Sequence, residues 1–335
     1  MSHRHPDMVT APDRPGPWPH SFVEGRVLHL EGDRFRVAFH SDWAPFFDPR
    51  MQETLAAWGL TSPEAVPRWR RWRQAGGRVL GVSMDHSWAL PAWARAWRAA
   101  GTPLTVVHLD RHTDCGAPLL LVDARGAMQD CLTGAPGHPD EPASLEGAVE
   151  SGAIGIGGFV APAVAAGLVR QLVHVFPSRT PLPERRAREL AVGPGAPHPR
   201  RPDLRWLSVA LEPDPAPGLL RSIPYLATHA AALPRDLPGP LALDLDLDYA
   251  SNRLRGEPDW EDTPGPELTE AELAADLRLV LDALAPDRIA CVTVATSPRF
   301  CPSERWRPLL ETASAVLAER LGVSLAGLCP WEPPP

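Results

Sequence analysis

Apolar positions along the chain fall into short unbroken runs separated by stretches of helical spacing. Arg78–Ser83 and Leu104–Leu109 are apolar without alternation, as strands covered on both faces are. Between them, Trp88–Ala99 places Trp93 and Trp97 on one helical face, and Gly101 ends the segment. Strand, helix, strand is the unit of a parallel sheet. Leu168–Phe176, Trp206–Leu211, Leu241–Leu247 and Ile289–Ala295 read as further strands. Thr269 and Glu272 form a capping box, and the helix it opens aligns Leu273, Leu277, Leu281 and Leu284. Trp306–Leu321 is the last helix, and Val27–Leu30 with Phe35–Phe39 form a hairpin around Glu31-Gly32-Asp33. Arg68–Gln74 reads as a helix end stopped by Gly76-Gly77. Residues 178–203, rich in proline and arginine and without periodicity, read as a long surface loop, and residues 1–20 as a flexible tail. The expected organisation is that tail followed by a single α/β domain over 21–335 with a mainly parallel sheet.

Composition narrows the function classes. Of 335 residues, 44% are hydrophobic and 22% charged, which is the balance of a globular chain. The net charge of -8 offers no general basic field for nucleic acid. Five widely spaced cysteines (Cys115, Cys131, Cys291, Cys301 and Cys329), with no C-x-x-C, argue against a disulfide framework or a zinc-thiolate site and fit a reducing cytoplasm. Met1–His20 has no apolar core of a signal peptide, and no run of about 18 uncharged apolar residues would span a membrane.

Ligands of parallel sheets sit beyond the carboxyl ends of the strands, and three such ends carry metal-type ligands. Asp85-His86-Ser87 follows the first strand. Asp110-Arg111-His112-Thr113-Asp114 follows the second, with Asp, His and Asp at alternate positions that share a face in extended backbone. Asp244, Asp246 and Asp248 alternate with leucines in the strand beginning at Leu241. Unit charges about 4 Å apart repel by about 4 kcal/mol at an effective dielectric near 20, so such a group needs cations or protons. Oxygen-rich mixed ligation favours manganese or magnesium over structural zinc, and more than four ligands implies two ions.

In their order and spacing these motifs resemble the ureohydrolase (arginase–deacetylase) superfamily. V-S-M-D-H-S-W-A-L, V-V-H-L-D-R-H-T-D and L-D-L-D-Y resemble its branch of peptide arginases, which convert arginine in ribosomally made peptides to ornithine. The resemblance implies a three-layer α/β/α fold and two Mn2+ ions. His86 and Asp114 would bind one ion, His112 and Asp248 the other, and Asp110 and Asp246 would bridge. Asp246 and Asp248 lie nearer the carboxyl end of their strand; Asp244 would then support the site from behind, with Asp244 and Asp246 as the other register. The family's proton-shuttling histidine has its nearest counterpart in His138, and Asp114 would orient the attacking water. The glutamate that ends the last strand of metabolic arginases is replaced by Ala295, which points to a peptide rather than free arginine. The arginines of 178–203 would offer an acidic leader peptide a basic surface. Glu304, after the last strand, is a candidate for contacting a guanidinium. Two other readings share these motifs: an agmatinase- or deacetylase-like amidohydrolase, and a non-catalytic peptide-binding protein that keeps a metal.

Overall fold

The structure is a computed structural model that describes residues 26–31, 34–39, 48–138, 141–184, 186–198, 201–211, 220–256 and 265–332. The tail expected over 1–20 lies outside these residues. The strands are β1 (Arg26–Glu31), β2 (Arg34–Phe39), β3 (Arg70–Ala75), β4 (Arg78–Ser83), β5 (Leu104–Leu109), β6 (Leu120–Val122), β7 (Met128–Asp130), β8 (Pro136–Gly137), β9 (Val169–Phe176), β10 (Ala187–His198), β11 (Arg201–Leu211), β12 (Arg221–His229), β13 (Leu241–Asp246) and β14 (Ile289–Ala295). The helices are α1 (Met51–Ala57), α2 (Ala89–Ala100), α3 (Pro142–Ser151), α4 (Val160–Ala165), α5 (Glu270–Ala283) and α6 (Ser303–Leu321).

β1 and β2 form the expected antiparallel hairpin. The other strands make one sheet in the order β3-β4-β14-β13-β5-β9-β12-β10-β11-β6-β7-β8. From β4 to β12 neighbours run parallel, while β3 at one edge and β10 to β8 at the other run antiparallel. Helices α1, α5 and α6 cover one face, and α2, α3 and α4 the other, giving three α/β/α layers. Side chains alternate across the pleat. On β13, Leu241, Leu243 and Leu245 enter the α5–α6 core, and Ala242 enters the α2 core. Asp244 and Asp246 therefore point to the α2 side. The same alternation on β5 turns His108 to that side, with Val106.

Two segments depart from the sequence reading. Arg70–Ala75 is strand β3, not a helix end, because its side chains serve a period of two. Arg71 and Arg73 donate to carbonyls of the carboxyl-terminal segment, while Trp72 lies on the opposite face across Gly81. Gly81 is required there, since a Cβ would sit 2.1 Å from the Trp72 ring. The supposed loop at 178–203 contains all of β10 and the start of β11. Leu190, Ala191 and Val192 are buried between β12 and β11, and the register slips at Pro194 and Pro197, where a residue without an N–H is tolerated. The capping box of α5 is present: Thr269 Oγ1 accepts from the Glu272 N–H (3.2 Å) and Glu272 Oε2 from the Thr269 N–H (2.8 Å). Among the described residues no helix is long and apolar enough to cross a membrane, and the cysteines are all free.

Candidate metal centre

Parallel pairing brings the carboxyl ends of β4, β14, β13 and β5 to one rim. Beyond β4, Asp85 Oδ1 accepts from the Ser87 N–H (3.0 Å) and starts a 3-10 turn that holds His86 inward. Beyond β5, Asp110 Oδ1 accepts from the His112 N–H (2.6 Å). The chain then turns at Asp114, whose φ of 47° is left-handed, a conformation that Asp tolerates better than most residues. Beyond β13, Asp246 Oδ1 accepts from the Asp248 N–H (3.0 Å), which curls Asp248 back over the rim. Ser297, also at positive φ, donates to Asp246 Oδ2.

Two donor sets result, and they share Asp110. The deep set is fully buried. His86 Nδ1 lies 3.2 Å from Asp110 Oδ2, 3.0 Å from Asp114 Oδ2 and 3.0 Å from Asp246 Oδ2. His108 Nε2 lies 3.3 Å from Asp110 Oδ2 and 4.0 Å from Asp114 Oδ2. His86 Nδ1, His108 Nε2, Asp110 Oδ2 and Asp114 Oδ2 are all buried without a hydrogen-bond partner. Buried polar atoms are nearly always paired, so four orphans facing one point mark a place for a cation. The outer set is Asp110, His112 and Asp248, with His112 Nδ1 2.7 Å from Asp248 Oδ2 and 3.5 Å from Asp110 Oδ1. The His112 side chain keeps 40% of its surface exposed and packs on Phe300 at 4.8 Å, so these two residues form the mouth.

Asp244 stands behind the deep set. Its Oδ2 accepts from His86 Nε2 (2.9 Å) and His108 Nδ1 (2.7 Å), and its Oδ1 from Thr293 Oγ1 (2.5 Å). With those ring protons held at Asp244, the opposite nitrogens of both rings face the orphaned carboxylates and, in the neutral rings, would offer lone pairs to a shared cation. Arg111 flanks the outer set, its Nε donating to the Asp248 carbonyl (3.1 Å) and its Nη1 to Thr180 Oγ1 (2.7 Å).

The charges do not balance without cations. Five buried carboxylates (Asp110, Asp114, Asp244, Asp246 and Asp248) face three imidazoles and one guanidinium. Burial lowers the pKa of His108, but Asp110 and Asp244 more than reverse this and push it up to about 9. His112 is likewise pushed up to about 12, against its burial, by Asp248 and Asp110. Asp114 is pushed up to about 7 by burial and by Asp110. A cluster that must protonate both rings and carboxylates to settle its charge is one to which divalent ions are suited.

The residues expected as ligands, His86, Asp110, His112, Asp114, Asp246 and Asp248, come together in this cluster with Asp244 behind them, and the expected proton shuttle His138 does not. His138 is exposed beside β8, its N–H donating to Ser144 Oγ (2.8 Å), and it shares no hydrogen bond or ion pair with the cluster. The chain after Asp114 enters β6–β8, which pair outward through β11 and take His138 with them. Glu304 pairs with Arg253 near the start of α6. The sequence reading missed His108, although it alternates with Asp110 and His112. It also missed Thr293, Ser297 and His174, which share no motif with the ligands. His174 Nε2 donates to the Asp110 carbonyl (3.0 Å) and Nδ1 accepts from Tyr225 (2.9 Å); burial holds it down to about 3, so it stays neutral.

No protein-family model matches this chain, and no curated protein does. Among solved structures the chain is similar to proclavaminate amidino hydrolase from Streptomyces clavuligerus, at 17% identity and a TM-score of 0.37. The match covers 71% of this chain and 62% of that one, so the chain spans less than two thirds of that enzyme, and the likeness is too low to carry an assignment.

Proposed function

We propose that this protein is a dinuclear hydrolase of the ureohydrolase type that converts arginine within a peptide to ornithine, releasing urea, with manganese as its working ion. One observation carries the reading: two donor sets share Asp110, which turns Oδ2 to the deep set and Oδ1 to the outer one. His86, Asp110, Asp114 and Asp246 would hold the deep ion, and Asp110, His112 and Asp248 the outer ion, with Asp110 and Asp246 between them. The order of these residues along the chain, and the step from His86 to Asp110, resemble those of the superfamily.

A bound ion pair would supply the Lewis acidity that lets water attack a resonance-stabilised guanidinium carbon near neutral pH. The chain supplies position. Asp244 fixes which nitrogens of His86 and His108 face the site. Asp114 would accept a hydrogen bond from the attacking water and set its direction. The burial of Asp110 and Asp246 excludes other water, so their charges act at low screening. The substrate would enter past His112 and Phe300.

Support for a peptide substrate comes from β14. It ends at Ala295, which pairs with Asp246 and is followed by Thr296-Ser297, so no carboxylate stands where the resemblance would put the substrate-holding glutamate of metabolic arginases. The arginine-rich segment adds little, because Arg179 is paired with Glu272 and Arg201 with Asp203. The test is manganese reconstitution, elemental analysis, and mass spectrometry of arginine peptides beside urea assays on free arginine and agmatine. About two ions per chain and peptide conversion are expected. Rapid hydrolysis of free arginine with no peptide converted refutes the peptide assignment. Turnover of acetylated amines alone, or none despite full metal loading, refutes the ureohydrolase reading.

A further inference from the structure

His108 lies in the V-V-H-L-D-R-H-T-D run and borders the deep set, but it is not among the ligands assigned above to either ion position. Its ring is buried, stacked on His86 at 5.3 Å between centroids and 14° between planes. A structural imidazole in a core satisfies both nitrogens, as His174 does with Tyr225 and the Asp110 carbonyl. His108 satisfies only one. Nδ1 is held by Asp244, while Nε2 faces Asp110 and Asp114 with no partner. Donors around an octahedral ion with bonds of about 2.1 Å lie about 3.0 Å apart when adjacent and about 4.2 Å when opposite. The distances from His86 Nδ1 to Asp110, Asp114 and Asp246 Oδ2, and from His108 Nε2 to Asp110 and Asp114 Oδ2, run from 3.0 to 4.0 Å.

We propose that His108 is itself a ligand to the deep ion, so that the two positions are unequal: a buried, two-imidazole position that fills first, and a one-imidazole outer position that fills second. This rests on the dinuclear reading and deepens it. A second imidazole raises affinity for divalent first-row ions beyond manganese in the Irving–Williams order, and the deep position is therefore the one that takes cobalt, nickel or zinc most avidly.

The experiment is titration of the metal-free protein with Co(II), followed by calorimetry and by proton NMR of hyperfine-shifted signals. Asp244 keeps one N–H on each deep ring. The first equivalent should therefore produce two shifted histidine N–H signals that vanish in deuterated water. His108→Asn retains an amide N–H for Asp244 but removes Nε2. It should lose one of the two signals and weaken the first binding step on the order of 10–100-fold, leaving the second step unchanged within a few-fold. The wild-type signal count decides the matter even if that variant fails to fold. Uptake of two ions with a single shifted signal at the first equivalent overturns the role of His108 and spares the dinuclear reading. Failure to bind Co(II) or Mn(II) at all overturns both.

Discussion

Strand β13 is buried along its whole length and carries two of the cluster's carboxylates; β10, four strands along the same sheet, swings from exposed to buried and back and carries two prolines. β13 lies between parallel neighbours with helices on both faces, so every position must be apolar or have a partner. Its aspartates are tolerated only because His86, His108, Thr293 and Ser297 meet them. β10 sits in the antiparallel half, where polar residues cost little and a slip in register can absorb Pro194 and Pro197. The parallel half thus holds the chemistry at high electrostatic cost, and the antiparallel half supplies a wall whose sequence is loosely constrained.

The largest effect should come from Asp110→Asn. Asp110 is the residue common to both donor sets, and an amide supplies neither the charge nor the second acceptor oxygen. Elemental analysis should show fewer ions per chain and activity should fall below detection, while circular dichroism stays that of the parent. Wild-type turnover with both ions retained would end the claim that Asp110 joins the two sets. Next comes metal itself. Ions that bind only the folded chain stabilise it by about 4 kcal/mol at a thousandfold excess over Kd. Manganese should raise Tm by several degrees and a chelator should reverse it. An unchanged Tm would mean that the rim of β4, β5 and β13 is not a metal site.

These two halves also differ in how far they can be read from residues alone. Arg78–Ser83, Leu104–Leu109, Leu241–Asp246 and Ile289–Ala295 are legible because burial on both faces removes ambiguity, and candidate ligands follow the first two at once in sequence and end the third. Arg70–Ala75 was illegible because its strand character lies in what it touches: Trp72 on Gly81, and Arg71 on carbonyls far along the chain. β10 was illegible because prolines mark loops unless a slip in register hides them. His108 was written in the alternation with Asp110 and His112, but a histidine inside an apolar run carries no sign of which nitrogen is left free. That information comes only from Asp244, on another strand.

A smaller effect tests the wall. A Cβ at Gly195 would lie 2.8 Å from Ser208 Cβ and 3.3 Å from the Trp206 carbonyl. Gly195→Ala should cost about 1–3 kcal/mol in chemical denaturation and leave metal affinity untouched. A parallel loss of metal binding would show that the antiparallel half positions the site as well as enclosing it.

The smallest expected effect lies behind the outer set. Tyr249 follows Asp248 and is fully buried, and its hydroxyl donates to Asp276 Oδ2 (2.8 Å) on α5. Burial raises the pKa of the Asp276 carboxyl, and the bond from Tyr249 partly offsets that. Tyr249→Phe keeps the ring in the core and removes one donor from a largely buried carboxylate. The cost should be about 1 kcal/mol near neutral pH. Its pH dependence follows from linkage. The folded-state pKa of Asp276 is already above its unfolded value, and the variant moves it further up, so the folded variant holds the ionised form less well. The penalty is therefore full where the carboxyl is ionised in both proteins and shrinks as pH falls through its raised pKa, where protonation makes the missing donor irrelevant. Denaturation of parent and variant at several pH values reads this directly. A penalty that stays constant or grows on acidification would mean that the Tyr249 hydroxyl stabilises the fold by some route other than the ionised Asp276, such as its contact with the Phe176 carbonyl.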